Sequence, residues 1–255
     1  MIHVLGLGLR GAGSMTLDEL EIASRCDSVF LESYTSVIDE SEIEKLSRRI
    51  GRTIEILNRE SMEHSGWIIE RGRREDVAIL VVGDPLAATT HSQLRLDAKK
   101  SGVDIEFYEN ASILTRAPSL TGLMLYRFGP PVSLPRITGH YRPKSVLLKI
   151  KRNIENDMHT LLLLDLAEGK TLTPSEACDI LLTLENEHMV GAISKSMKVI
   201  VLISVSRRDQ KILSGTVDAI IRNRIEGSPA CIVIPATISD VEKTFVAEFT
   251  EALQD

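Results

Sequence analysis

Two α/β domains are the fold the sequence predicts, and three observations predict it. Short apolar runs of strand length alternate with amphipathic stretches of helix length through the first half of the 255 residues, the pattern of a parallel sheet covered on both faces. Five prolines, Pro118, Pro130, Pro131, Pro135 and Pro143, interrupt the middle of the chain. After them the strand and helix alternation resumes, so the expected domains are 1–115, carrying a Gly-Asp-Pro loop, and 116–255.

The elements follow in order. Residues 3–9 read as a buried strand ending in glycines, and 17–24 as a helix with Thr16 or Ser14 as its cap. A strand is expected at 28–31. A helix at 38–50 should stop at Gly51 in a left-handed conformation. Strand 53–57 and a charged helix at 61–74 come next. Residues 77–82 form a continuous apolar run that halts at Gly83-Asp84-Pro85, before a helix at 91–101 and a strand at 104–108. In the second half, helices are expected at 144–155, 173–187, 217–224 and 238–252, and strands at 160–165, 198–204 and 230–235. Thr173 should cap its helix, with Pro174 in the first turn. The apolar positions Leu181, Leu182 and Leu184 exceed what one small core needs and point to a homodimer.

Composition narrows the function classes. Hydrophobic residues make up 43% and charged residues 26%, as in folded globular proteins, while 30 basic against 36 acidic residues leave a net charge of -6. Such a chain is a poor candidate for direct nucleic-acid binding, which relies on clustered Lys and Arg. No run approaches the roughly 18 apolar residues of a membrane span, and the N-terminus lacks the basic region and cleavage site of a signal peptide. Cys26, Cys178 and Cys231 have no metal-binding spacing and read as buried, reduced thiols of a cytoplasmic protein. No metal is expected. Walker A, GxSxG and HExxH motifs are absent.

Three segments carry chemistry. Gly6, Gly8 and Gly11 match GxGxxG after a strand, with Glu32 placed as the ribose-binding acid of a dinucleotide site, though an ordinary tight turn explains the glycines equally well. Gly83-Asp84-Pro85-Leu86 is sharper. It follows the most apolar strand of the first half, at the end where open α/β sheets bind ligands. Asp84 there either accepts hydrogen bonds from a ligand or closes an Asx turn. Asn110-Ala111-Ser112-Ile113 ends the next strand with small polar groups. Thr89 and Thr90 read equally as helix cap and ligand contacts, a lone His91 is more often structural, and His140 is a weak general-base candidate.

Taken together, VLGLGL (4–9), LEIASRCDSVFLESYTS (20–36), VGDPLAATTHSQL (82–94), NASI (110–113), TGLMLYRFG (121–129), HTLLLLDL (159–166) and LTPSEACDILLTLE (172–185) resemble the diphthine synthases. These are a branch of the tetrapyrrole-methylase-like methyltransferases. GDP marks the wider superfamily, and ATTH with Tyr34-Thr35-Ser36 marks the branch. The resemblance implies two α/β domains of the tetrapyrrole-methylase type, with S-adenosylmethionine in the cleft between them, and usually a homodimer. It carries cofactor contacts onto Leu9, Asp84, Ala87, Ser112, Ile113, Leu166, Val205 and Ser239. It implies N-methylation of the aminocarboxypropyl-modified histidine of translation elongation factor 2, giving diphthine for diphthamide biosynthesis. By their charge, Arg136, His140, Tyr141, Arg142 and Lys144 read either as a basic rim for that protein or as a solvated loop. The chain departs from the family pattern at Arg116, where a small residue is usual, at Ser204-Val205-Ser206-Arg207, and at Ser239, where relatives often have a histidine. The alternatives are a corrin or porphyrin C-methyltransferase and a cofactor-binding relative that has lost turnover. No residue is assigned as the proton acceptor.

Overall fold

The computed structural model describes residues 1–253 apart from 65 and 168. It divides into two compact units, Met1–Ile113 and Leu114–Asp255.

The first unit runs β1 (Ile2–Gly6), α1 (Leu17–Arg25), β2 (Ser28–Glu32), α2 (Glu40–Ile50), β3 (Ile54–Leu57), α3 (Arg59–Glu63), α4 (Gly66–Gly72), β4 (Val77–Val81), α5 (Ser92–Lys100) and β5 (Ile105–Tyr108). Its strands form one parallel sheet in the order β3-β2-β4-β1-β5. Every residue of β4 is buried. Val77, Ile79 and Val81 join one apolar layer with Ile2, Val4 and Phe30, while Ala78 and Leu80 join the other with Leu5, Leu31 and Leu46. That alternation explains the uninterrupted apolar run, since a strand covered on both faces has no side to leave polar. The register pairs Gly6 with Val81 and Leu5 with Tyr108. The carboxyl ends of β4, β1 and β5 are therefore level and adjacent, and the three loops leaving them are neighbours.

Local signals set most boundaries in this unit. Thr16 caps α1 in a reciprocal capping box with Glu19, and Gly51 closes α2 with φ 73°. The single helix expected at 61–74 is instead two pieces. The backbone leaves helical geometry at His64, and the Ser61 carbonyl accepts a hydrogen bond from the Trp67 indole at 2.7 Å. A glycine at 66 adds little to hold a helix together across this point.

The second unit contains α6 (Ile113–Thr121), whose first residue ends the first unit, then β6 (Val132–Leu134), α7 (Lys144–Glu155), β7 (Thr160–Leu164), β8 (Leu166–Ala167), β9 (Lys170–Thr171), α8 (Pro174–His188), β10 (Lys198–Ile203), β11 (Lys211–Thr216), α9 (Val217–Arg222), β12 (Ala230–Ile234), α10 (Asp240–Phe249) and β13 (Glu251–Ala252). Its main sheet has the order β13-β11-β10-β12-β7-β6. The central pairs are antiparallel, and only β6 with β7 and β11 with β13 are parallel. Strand β11 and helix α6 are absent from the sequence reading. Strand β11 carries few β-favouring residues and forms by pairing along the whole of β10. Helix α6 holds Pro118 in its interior, where proline normally signals a loop.

Two expectations meet direct structural outcomes. Leu181 and Leu184 are fully buried and Leu182 packs on the same cluster, in the core of their own unit. The apolar face of α8 is thus consumed internally and lends no support to a dimer. The three cysteines are buried and unbridged. Burial pushes the Cys26 thiol up to about 11 and the Cys178 and Cys231 thiols up to about 12. At neutral pH, a thiol-alkylating reagent is expected to leave the folded protein unlabelled and to modify all three cysteines once it is unfolded, read by intact mass. Labelling of the native protein would contradict this. Among the described residues, no helix is long and apolar enough to cross a membrane, and no group of three or more His, Cys, Asp or Glu could hold a metal ion.

Candidate functional site

The loops after β1, β4 and β5 bring together five of the residues singled out in the sequence, Leu9, Asp84, Ala87, Ser112 and Ile113. Two of these loops are bridged by backbone. The Gly8 N–H donates to the Gly83 carbonyl at 3.1 Å, and the Gly83 N–H donates back to the Gly8 carbonyl at 2.9 Å. Asp84 is half-buried and works as both turn and tie. One carboxylate oxygen accepts the Leu86 N–H at 2.9 Å, the expected Asx turn. The other accepts the Asn110 N–H at 3.3 Å, which joins the β4 loop to the β5 loop.

The remainder of the β4 loop is held from within. The Pro85 carbonyl accepts hydrogen bonds from the Thr89 hydroxyl and from His91 Nδ1 at 2.8 Å. A carbonyl can only accept, so His91 carries a proton on Nδ1. Its Nε2 lies 3.7 Å from Glu32. Glu32 is itself committed, because its carboxylate accepts the N–H groups of Tyr34 and Thr35 and the Thr35 hydroxyl. The Tyr34 hydroxyl and Thr90 Oγ1 are 2.9 Å apart. The YTS and ATTH segments thus form one polar cluster between the ends of β2 and β4, and His91 is a structural residue of that cluster.

This geometry corrects the dinucleotide reading. Glu32 is buried and turned onto its own loop, so it is not placed to meet a ribose. A Cβ on Gly6 would lie 2.8 Å from the Asn110 Cβ, and one on Gly8, whose φ is 57°, would lie 2.7 Å from Asn110 Oδ1. The glycines make room for an asparagine, in the space where a dinucleotide fold admits pyrophosphate.

Leu166, Val205 and Ser239 belong to the second unit. Leu166 opens β8 and is half-buried. Val205 is buried and flanked by Ser204 and Ser206, both at positive φ, 50° and 66°. This unusual turn is held by side chains, with the Ser204 hydroxyl donating to Asp209 at 2.7 Å and the Ser206 N–H donating to Gln210 at 2.7 Å. Ser239 caps α10. Its hydroxyl donates to Glu242 at 2.8 Å and accepts the Glu242 N–H at 3.3 Å. The sequence reading missed the network beneath this cap. Glu242 is fully buried and accepts hydrogen bonds from the Met124 N–H, Arg127 and His159. A charged residue on the otherwise apolar face of a capped helix was the available signal. In the expected basic rim, Arg142 is paired with Glu187 at 3.0 Å, so its charge is shared.

Comparison with known proteins places the chain in a family. The sequence profile of the tetrapyrrole (corrin/porphyrin) methylases matches residues 1–221. The diphthine synthase of Thermoplasma acidophilum is 38% identical over 253 residues, which cover 99% of this chain and 97% of that protein. The diphthine methyl ester synthase of Mus musculus is 38% identical over 238 residues, covering 85% and 84%. A crystal structure of diphthine synthase superposes with a TM-score of 0.88 at 29% identity, covering 98% of this chain and 96% of the other. With profile, sequence and fold in agreement over nearly its whole length, the chain belongs to the tetrapyrrole methylase family, in its diphthine synthase branch, and is a methyltransferase.

Proposed function

We propose that this protein transfers methyl groups from S-adenosylmethionine to the amine of the aminocarboxypropyl-modified histidine of translation elongation factor 2, giving diphthine. The observation that carries this reading is the end-to-end similarity to diphthine synthases, joined to three adjacent loops at the carboxyl edge of a parallel sheet.

The residues of these loops fit the cofactor. Beside Gly83 an added Cβ would meet only the Ala111 carbonyl oxygen, at 4.0 Å, among the described residues. Leu9, Ala87 and Ile113 are half-buried and leave apolar surface for a flat ring. The Asp84 carboxylate accepts two hydrogen bonds from the chain and has capacity for about two more, from ligand hydroxyls. When bound, the cofactor supplies an electrophilic methyl on sulfur. The chain's own task is to hold donor and amine in line and to keep water out, and positioning of this kind is worth ~7–11 kcal/mol of barrier. Leu166, Val205 and Ser239 are proposed as further contacts on the strength of the resemblance. The Ser239 hydroxyl and backbone N–H are both engaged with Glu242, so its contact would come through its carbonyl oxygen or through a hydroxyl shared with Glu242. The same resemblance supports a homodimer. Light scattering with a mass near 28.2 kDa would contradict it.

Mass spectrometry of elongation factor 2 tests the activity. The factor carrying the aminocarboxypropyl group, incubated with this protein and S-adenosylmethionine, is expected to gain methyl groups that survive mild alkali, while the unmodified factor gains none. Absence of any gain on the modified factor would overturn the reading. The similarity to a diphthine methyl ester synthase favours one second reading, methylation of the carboxylate as well. An ester methyl would be released by the same alkali, which separates the two.

A further inference from the structure

We propose that Asn110 is the positioning residue of the cofactor site, one side chain that fixes the loops after β1, β4 and β5 against each other; the inference rests on reading those loops as the site for S-adenosylmethionine. Strand β1 lies between β4 and β5, so a residue leaving β5 beside β1 can reach both neighbouring loops. Asn110 does so through its side-chain amide nitrogen and its backbone N–H. Its amide nitrogen donates to the Gly6 carbonyl at 2.7 Å and to the Ser14 carbonyl at 3.0 Å, one at each end of the β1 loop. Its backbone N–H donates to Asp84 on the β4 loop. Its side-chain oxygen accepts the Ala111 N–H at 2.7 Å and turns its own loop.

The proposed ligand contacts hang directly from these bonds. Leu9 follows Gly8, whose missing Cβ leaves space for the Asn110 oxygen. Asp84 is bound outright, and the Ala87 N–H donates to the Asp84 carbonyl at 3.2 Å. Ser112 and Ile113 continue the chain from Asn110. Asn110 itself turns its amide toward protein groups and acts on a ligand only through the loops.

Glu19 shows that the donors are fully used. It lies 3.3 Å from the same amide nitrogen, yet two hydrogens serve three acceptors. Its other carboxylate oxygen is buried and has no hydrogen-bond partner among the described residues. An aspartate at 110 would lose both donors and set a second acid against Glu19 and two carbonyl oxygens.

The test uses Asn110→Ala and Asn110→Asp in the full chain, with calorimetric binding of S-adenosylmethionine and native-state hydrogen exchange. Both variants are expected to bind about tenfold or more weakly, as for the loss of one or two buried hydrogen bonds. The amides of Gly8 and Gly83, which bridge the loops, should exchange about tenfold or more faster, while those of Ile79 and Leu80 in β4 keep their protection. Should Asn110→Asp fail to fold under this repulsion, Asn110→Ala, which adds no charge, carries the measurement. Unchanged affinity in both variants overturns the proposal, as does faster exchange spread evenly into β4, which would make Asn110 a general stability residue. Ala87→Trp, which fills the β4 loop, separates the two levels of the argument. If it abolishes binding while the Asn110 variants bind normally, the site stands and the positioning role falls. If Ala87→Trp and Asp84→Ala both bind like the parent protein, the site reading fails and the proposal falls with it.

Discussion

Glu242→Ala is expected to destabilise the second unit by about 3–5 kcal/mol, the range for removing one partner from a buried charged network. The Glu242 carboxylate accepts the N–H of Met124 at 3.1 Å and of Ser239 at 2.9 Å, the Ser239 hydroxyl at 2.8 Å, His159 at 3.2 Å and the Arg127 guanidinium at 2.6 Å. Truncation leaves the Met124 and Ser239 donors and a fully buried imidazole without their acceptor, while Arg127 loses one of its two carboxylate partners and keeps Asp157 and the Thr237 carbonyl. It also removes the capping box of α10. At ~2–4 °C per kcal/mol for a chain of this size, the melting temperature followed by circular dichroism should fall by ~6–20 °C. A drop under about 2 °C would show that the network adds nothing. Glu242→Gln keeps one acceptor oxygen and should fall between.

The same network sets an acid limit. Burial alone pushes the Glu242 carboxyl up, but the hydrogen bonds from Ser239, Met124 and His159 outweigh it and hold the group at about 2, against an ordinary 4.5. The Ala236 N–H donates to His159 Nδ1 at 3.0 Å, so Nε2 carries the proton donated to Glu242. Burial lowers the His159 pKa, against the pull of Glu242. Both groups have folded values below their unfolded ones. Each therefore contributes stability that is complete above the unfolded value and is lost as pH falls toward the folded one. Urea midpoints should decline from pH 6.5 downward through His159, and from 4.5 toward 2 through Glu242. The lower decline should shrink in Glu242→Gln.

Asp84→Ala is expected to weaken S-adenosylmethionine binding about ten- to a hundredfold, the value of a lost charge-assisted hydrogen bond of roughly 1.5–3 kcal/mol. The structure adds a second route to the same loss. The carboxylate holds the Leu86 and Asn110 N–H groups, so its removal loosens the β4 loop and frees it from the β5 loop as well as deleting a ligand contact. Asp84→Asn retains one acceptor oxygen and should lose less. Calorimetry showing unchanged affinity, together with a large fall in melting temperature, would make Asp84 a turn residue alone.

Local chemistry was legible in the sequence at several places where the partners lie within one turn of each other, though not at Ser239 and Glu242. Thr16, one of the two caps the sequence offered for α1, and Thr173 with Pro174 start their helices through bonds spanning three residues. Gly51 ends α2 and the apolar run of β4 marks the centre of the first sheet for equally local reasons. The same holds for the Asx turn at Asp84, which was one of its two sequence readings.

What only the tertiary structure decided are the pairings between distant segments. Asn110 meets Gly6 across 104 residues, and His159 meets Glu242 across 83. The antiparallel centre of the second sheet, with β11 formed on β10, is likewise a choice of partner that periodicity does not encode. The glycines at 6 and 8 carry the same lesson. Read alone, they matched a phosphate-binding turn, and folding placed an asparagine amide in the space they leave. The sequence by itself determined the strand and helix alternation and the family, because burial period and capping are short-range. Which side chain occupies a glycine's space and which donors converge on a buried acid were decided by sheet order, because those groups are adjacent only after the strands have paired.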